Sequence, residues 1–352
     1  MINKVKVENF KSLNNVEVEL SNFNLLIGTN SSGKSSLIQA LLLVSQNIRE
    51  NYGLNGPLVT LGDFREIKSL SSSGDKISIE IYDDSNMVKV EVTDSKETVI
   101  KVERILDNYT NLQDNIENLH FLSCNRIGVR DIYEKNLYEK NDFGNYGEYA
   151  IEYINRHKLD ELEESLIKYK TSYTYSQQIN YWLKYIINAE IKVEDIIGTD
   201  VVRAAYSISN NIYHRPRNVG SGISYLISII SLCLASKKED IIVIENPEIH
   251  LHPLSQSRLT EFLYFIAKND RQLIIETHSD HIFNGVRAGI AIGEIIPTKI
   301  SINFVSIDDK SNTSINNIYI GKRGKVLNPH KDLFDQFELD LDKMLGLYRG
   351  YL

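Results

Sequence analysis

Two cysteines in 352 residues, Cys124 and Cys233, can build neither a disulfide framework nor a thiolate metal cluster. Zinc and redox chemistry drop out, and a reducing cytoplasm is the expected compartment. A long hydrophobic run is missing too. The longest, Ile223 to Ala235, is broken by serines and is shorter than the roughly 20 residues a bilayer-spanning helix needs. Met1 to Val7 alternates polar and apolar residues like a strand, whereas a signal peptide has an unbroken apolar core. There is no internal repeat, low-complexity tract or Gly/Pro linker, and no run of heptads long enough for a coiled-coil arm. The 47 acidic residues outnumber 39 basic ones, for a net charge of −8, so any nucleic acid would need a local basic groove. With 42% hydrophobic residues, the chain can bury one large core or two modest ones.

What is present begins at Gly28-Thr29-Asn30-Ser31-Ser32-Gly33-Lys34-Ser35. An apolar run, Phe23–Ile27, precedes it, and Ser36 to Val44 follows with helical apolar spacing. Strand, loop and helix thus occur in the order that phosphate binding requires. The glycines let backbone N–H groups turn inward around a phosphate, and the helix start adds unpaired donors and the positive end of its dipole. Lys34 is expected to reach the β and γ phosphates of ATP and Ser35 to ligate magnesium, with Ser36 closing the set of nucleotide contacts.

A second constellation lies two hundred residues later. Glu245 ends the aliphatic run Ile241–Ile244, a position from which an acid holds Mg2+ through water in phosphate-loop enzymes. Asn246, Pro247, Glu248, His250, Leu251, His252 and Pro253 continue the loop. The next strand-like run ends in Glu276-Thr277-His278-Ser279-Asp280, which puts His278 at the same sheet edge as Lys34 and Glu245, as a candidate sensor of the γ-phosphate.

Around these motifs the chain divides into residues 1–130, an ATPase lobe with the phosphate loop and an antiparallel β subdomain from about Gly53 to Ile105; 131–200, a Tyr-, Lys-, Glu- and Asn-rich helical insertion with helices expected at Leu159–Tyr169 and Gln177–Ile187; 201–305, a second lobe; and 306–352, a C-terminal segment. The insertion's tyrosines could stack on bases, but at helical spacing they read better as packing residues. Ile241–Ile244, Leu273–Ile275 and Ile300–Val305 have the composition of strands covered on both faces. Asp308-Asp309 reads as a solvated turn, and no nuclease domain is read from the residues after His278.

The order of phosphate loop, insertion, Gly/Ser loop opening a helix, Glu-Asn-Pro-Glu-Ile-His-Leu-His-Pro and Glu-Thr-His-Ser resembles the ABC-type ATPases of the SMC, RecF and OLD group. Asn9-Phe10-Lys11-Ser12 is similar to that group's first strand end, and Gly321 to Leu352 is similar to the C-terminal segment of a bacterial subgroup of AAA family ATPases often linked to anti-phage defence. The resemblance implies an α/β fold of the P-loop NTPase, SMC-head type, with a mainly parallel core sheet. It also implies a homodimer or higher homo-oligomer with ATP sandwiched between copies, Lys11 near the phosphates and Gly220-Ser221-Gly222 capping the partner's γ-phosphate. Many relatives place a glutamate after the magnesium-side acid, where this chain has Asn246. An amide cannot accept a proton as a carboxylate does, so Glu248 acts instead or hydrolysis is slow. The usual magnesium-sensing glutamine is absent after Leu119–Ser123, where Asn125 or Arg126 could substitute. The leading expectation is an ATP hydrolase working as a switch in phage defence, with a separate nuclease or toxin, or with DNA or RNA, as partner. The alternatives are a repair ATPase acting on DNA and a regulatory module that binds ATP with little hydrolysis.

Overall fold

The computed structural model describes residues 1–70, 74–94, 98–106, 111–137, 143–208 and 212–347. Parts of the expected insertion (138–142) and of the C-terminal segment (348–352) lie outside the described residues.

Valines alternating with polar residues make β1 (Lys4–Phe10) and β2 (Leu13–Glu19) half-buried strands, and β3 (Phe23–Gly28), apolar apart from Asn24, is buried on both faces. After α1 (Lys34–Arg49) and a short α2 (Phe64–Ile67) comes a meander of β4 (Lys76–Tyr82), β5 (Met87–Asp94) and β6 (Thr98–Ile105). These strands join β1 and β2 in an antiparallel sheet of order β2-β1-β4-β5-β6. Next come α3 (Leu112–Glu117), β7 (His120–Leu122) and β8 (Tyr133–Glu134), then α4 (Ala150–His157), α5 (Tyr175–Ile187), β9 (Glu190–Asp195) and β10 (Val201–Ser207). The remainder is α6 (Gly222–Ala235), β11 (Ile241–Glu245), α7 (Pro253–Ala267), β12 (Gln272–Glu276), α8 (Asp280–Ala291), β13 (Ile300–Ile307), β14 (Thr313–Asn317) and α9 (Gln336–Met344).

The central sheet has the order β14-β13-β3-β12-β11-β7, with every neighbouring pair parallel except β13 with β14. Alternate residues of its strands feed two cores. Leu25, Ile27, Ile242, Ile244, Leu273 and Ile275 pack on the side of α5, α6, α7 and α8, while Leu26, Ile241, Val243 and Ile274 face α1 and the antiparallel sheet. This three-layer arrangement satisfies the long apolar strands on both faces. It also carries the ends of β3, β11 and β12 to one edge, where open parallel sheets hold ligands.

The insertion is more mixed than expected. Helix α5 forms where Gln177–Ile187 predicts one, but Leu159–Tyr169 holds only a single 3-10 turn, Glu164–Leu166. The segment's backbone is paired elsewhere: Leu162 N–H donates to Tyr173 O (3.0 Å) and Asp160 O accepts from Tyr175 N–H (2.8 Å), and at its end the fully buried Gln178 accepts on its side-chain oxygen from the N–H groups of Lys168 (3.0 Å) and Tyr169 (2.9 Å) while its amide donates to the carbonyls of Tyr169 and Ser172. One side chain thereby satisfies backbone groups that a helix would otherwise pair. Strands β8 and β9 flank β10 in a separate three-stranded sheet. The aromatic residues pack: Trp182 meets Phe262 and Phe265 with ring centroids 4.9 and 5.2 Å apart, and the buried Tyr175 hydroxyl donates to Ser231 O at 2.7 Å.

Candidate nucleotide site

The turn from β3 into α1 is built around two glycines with positive φ, Gly28 at 139° and Gly33 at 105°. A Cβ at Gly28 would collide with the Val305 carbonyl, and one at Gly33 would collide with the Thr313 hydroxyl. Both positions require glycine for space as well as for backbone conformation. Thr313 donates to Ser12 Oγ (2.7 Å) or to Ser32 O (2.9 Å), and its own N–H bonds Ser12 O (2.8 Å). The loop is therefore braced from the β1–β2 turn and from β14, a support that its own sequence does not reveal.

The first bond along α1 runs from Leu37 N–H to Gly33 O (3.0 Å), and among the described residues no side chain caps this helix. Its leading N–H groups are left to an anion. Lys34 is buried, and its ammonium donates to the carbonyls of Gly28 (3.0 Å) and Thr29 (2.6 Å). Burial holds its pKa below the usual lysine value, opposed by the charge of Glu276. A cleft of about 340 Å³ opens over the loop, lined by Ser12, Asn30, Ser31, Ser36, Lys34 and Glu276. Ser32, Gly33, Ser35 and His278 complete the lining.

The strands β11 and β12 pair in register with Glu245 opposite Glu276. The two carboxylates have different partners. Glu276 accepts from Ser35 Oγ, 3.0 Å from each of its oxygens, while Glu245 accepts from Cys124 N–H at 2.9 Å. Burial raises the Glu276 pKa against the opposing Ser35 hydrogen bond, and the neighbouring Glu245 charge adds to the rise. Asn246 sits at φ 43°, a conformation that asparagine tolerates better than most residues, and its N–H donates to Glu276 O at 2.8 Å. Glu248 takes the His278 N–H on one oxygen at 2.8 Å. Burial raises its pKa also. Among the described residues, the other Glu248 oxygen and Asn246 Oδ1 are buried without hydrogen-bond partners. His278 titrates below the ordinary histidine value, first through partial desolvation and second through the Lys34 charge.

Lys11 and Gly220-Ser221-Gly222 do not line this cleft. Lys11, at φ 52°, donates from Nζ to Gln39 Oε1 at 2.6 Å. Among the described residues, Ser221 precedes α6 with no side-chain cap, and Gly220 borders open space, with nothing within 4 Å of where a Cβ would stand. Gly222 instead abuts the segment after β11, where its Cβ would lie 2.5 Å from His250 O. Asn125 is exposed. Arg126 is buried and clamps the end of β11, donating to the carbonyls of Glu245 (2.6 Å) and Asn246 (2.7 Å), and burial lowers its pKa to about 10. The residues that sequence reasoning left without a role are Glu276, Ser12 and Thr313. Only Glu276 has a local signal, an acid ending an apolar strand.

These residues fit a magnesium nucleotide. An uncapped helix start and an inward-turned lysine suit phosphates. Among the described residues no cluster of three or more His, Cys, Asp or Glu forms a metal cage, and magnesium with a nucleotide typically takes one or two carboxylates plus phosphate and water.

An α/β ATPase fold of the ABC/SMC-head class, with its phosphate loop at the carboxyl edge of a parallel sheet, is what this architecture defines. The chain belongs to the family described as "AAA domain, putative AbiEii toxin, Type IV TA system", which it matches over residues 23–284. Its fold is similar to the SMC head bound to the C-winged helix domain of ScpA, with a TM-score of 0.55 at 13% identity, covering 90% of this chain and 97% of that one. The SMC head domain from Thermotoga maritima aligns with a TM-score of 0.52 at 13% identity over 91% and 99% of the two chains. The Pyrococcus furiosus SMC head with an extended coiled coil, bound to the C-terminal domain of ScpA, aligns with a TM-score of 0.55 at 12% identity over 98% and 99%. No curated protein matches the chain. Among the described residues no helix is long and apolar enough to cross a membrane.

Proposed function

We propose that this chain is an ATP-driven switch: two copies close head to tail around two Mg-ATP molecules, and the closed pair engages a separate effector protein or a nucleic acid in the cytoplasm, in anti-phage defence. The observation that carries the reading is the separation of the two halves of the site. The phosphate loop, Ser35, Glu276 and His278 share one cleft, whereas Gly220-Ser221-Gly222 opens α6 outside it, next to open space. A second copy would bring that helix start to the γ-phosphate, where its free N–H groups complete the anion site. Support for a partner comes from the SMC heads solved with ScpA domains. The toxin–antitoxin wording of the family supports the defence role.

Lys34 binds the β and γ phosphates once its ammonium leaves the loop carbonyls, and Lys11 adds positive charge once its ammonium leaves Gln39. Ser35 with the acids ending β11 and β12 holds magnesium, which when bound neutralises developing charge on the phosphate oxygens. His278 senses the γ-phosphate. Glu248, anchored by the His278 N–H, orients the attacking water through its unpartnered oxygen. Asn246 supplies an amide beside it and no proton acceptor, which favours slow turnover and a long-lived closed state. The molecular mass of wild type and Lys34→Ala with Mg-ATP tests the switch: nucleotide-dependent pairing of wild type alone supports it, and equal mass with and without nucleotide rejects it.

A further inference from the structure

We propose that Glu276, at the end of β12, supplies the principal protein carboxylate for the nucleotide's divalent cation, with Glu245 in a supporting position. The inference rests on the nucleotide-binding reading and goes beyond its assignment of a metal-side acid. Three observations carry it. First, each Glu276 carboxylate oxygen lies 3.0 Å from Ser35 Oγ. Two cis ligands of an octahedral magnesium with bonds near 2.1 Å are separated by about 3.0 Å, so the pair already has the spacing of one edge of that octahedron. Second, Glu276 is a buried carboxylate with, among the described residues, no lysine, arginine or histidine nitrogen in ion-pair contact. The nearest basic group of the site, Lys34, directs its ammonium to Gly28 O and Thr29 O. A buried anion is costly unless paired or bound to a metal, and a cation beside Ser35 supplies that partner.

Third, the Glu245 carboxylate is already engaged by the segment after β7. It accepts from Cys124 N–H at 2.9 Å and from Ser123 Oγ at 3.4 Å, both at the end of β7, and it is not part of the cleft over the loop. Its interactions fix the approach of β7 to β11. Glu276 is held on a rigid strand end, its carbonyl receiving Asn246 N–H at 2.8 Å, so its side chain projects from a fixed point beside the phosphate loop. Placement of a ligand on a rigid element is what a compact cation with strict geometry needs.

The test measures affinity for a fluorescent ATP analogue with excess Mg2+ and with EDTA, and takes the ratio as the magnesium coupling. Glu276→Gln preserves shape and a hydrogen-bond acceptor for Ser35. It is expected to lose about 10–100-fold of the coupling while binding the nucleotide in EDTA as well as wild type or better, because an anion beside the phosphates is gone. Glu245→Gln is expected to keep most of the coupling, and Glu276→Asp to fall between. Wild-type coupling in Glu276→Gln, with or without a loss of turnover, overturns the proposal. So does a coupling lost only in Glu245→Gln. Failure of wild type to bind the analogue under either condition would overturn the nucleotide reading itself, and is distinguishable from both.

Discussion

Two helix starts in this molecule carry glycine and serine and lack a side-chain cap, yet they are built in opposite ways. At α1 the loop is crowded: Gly28 lies against the Val305 carbonyl, Gly33 against Thr313 and Ser12, and the Lys34 side chain is buried within the turn. At α6 Gly220 borders open space and Ser221 is only partly covered. The first is a finished pocket whose walls come from its own chain. The second is backed on one side by His250 beside Gly222 and opens at Gly220, as expected of a surface completed by another copy.

The contrast can be broken most forcefully at Gly28. Gly28→Ala puts a Cβ into the backbone of β13 at a φ that L-residues rarely adopt, and should cost about 3 kcal/mol or more of stability, read as a lower urea midpoint; an unchanged midpoint would contradict the crowding. Lys34→Ala should leave the fold intact and weaken ATP binding by about 100-fold, since charge-assisted hydrogen bonds contribute about 1.5–3 kcal/mol each, measured by titration with a fluorescent analogue. Asn246→Asp, which keeps a residue tolerant of positive φ and adds a carboxylate, should raise ATP turnover by about 10-fold; steady-state phosphate release would reveal it, and no change would leave Glu248 as the sole group acting on water. The smallest effect on the fold is expected at Gly220→Ala, within about 0.5 kcal/mol in denaturation, together with weakened ATP-dependent pairing in sedimentation.

Much of this contrast is legible in the chain itself. An apolar run, a glycine-serine loop and a helical period fix the α1 half, because local geometry alone requires those residue types. The ends of β11 and β12 can be read as strands for the same reason. What cannot be read is their order and register: β12 lies directly beside β3 with Glu276 opposite Leu26, and β11 is one strand further out, which puts Glu276 rather than Glu245 against Ser35. The brace from Thr313 to Ser32 spans 281 residues and leaves no local trace. In the insertion, the spacing of Leu159, Leu162 and Leu166 suggests a helix, but pairing with Tyr173 and Tyr175 and the buried side chain of Gln178 take backbone groups that the helix would need. Glu190–Asp195, where Ile191 and Val193 alternate with charged residues, forms a strand against β10 inside a segment whose composition reads as helical.

The proposed sharing of the site between two copies is tested most directly by mixing two defective proteins. Lys34→Ala lacks a working phosphate loop but retains Gly220-Ser221-Gly222, and Ser221→Arg has the reverse defect. Each alone should remain unpaired with Mg-ATP. Mixed, with one of them tagged, they should form a heterodimer that retains one ATP, because one of its two sites then has an intact loop facing an intact helix start. Absence of a heterodimer from the mixture, or ATP-dependent pairing of Ser221→Arg alone, would contradict a site divided between two copies.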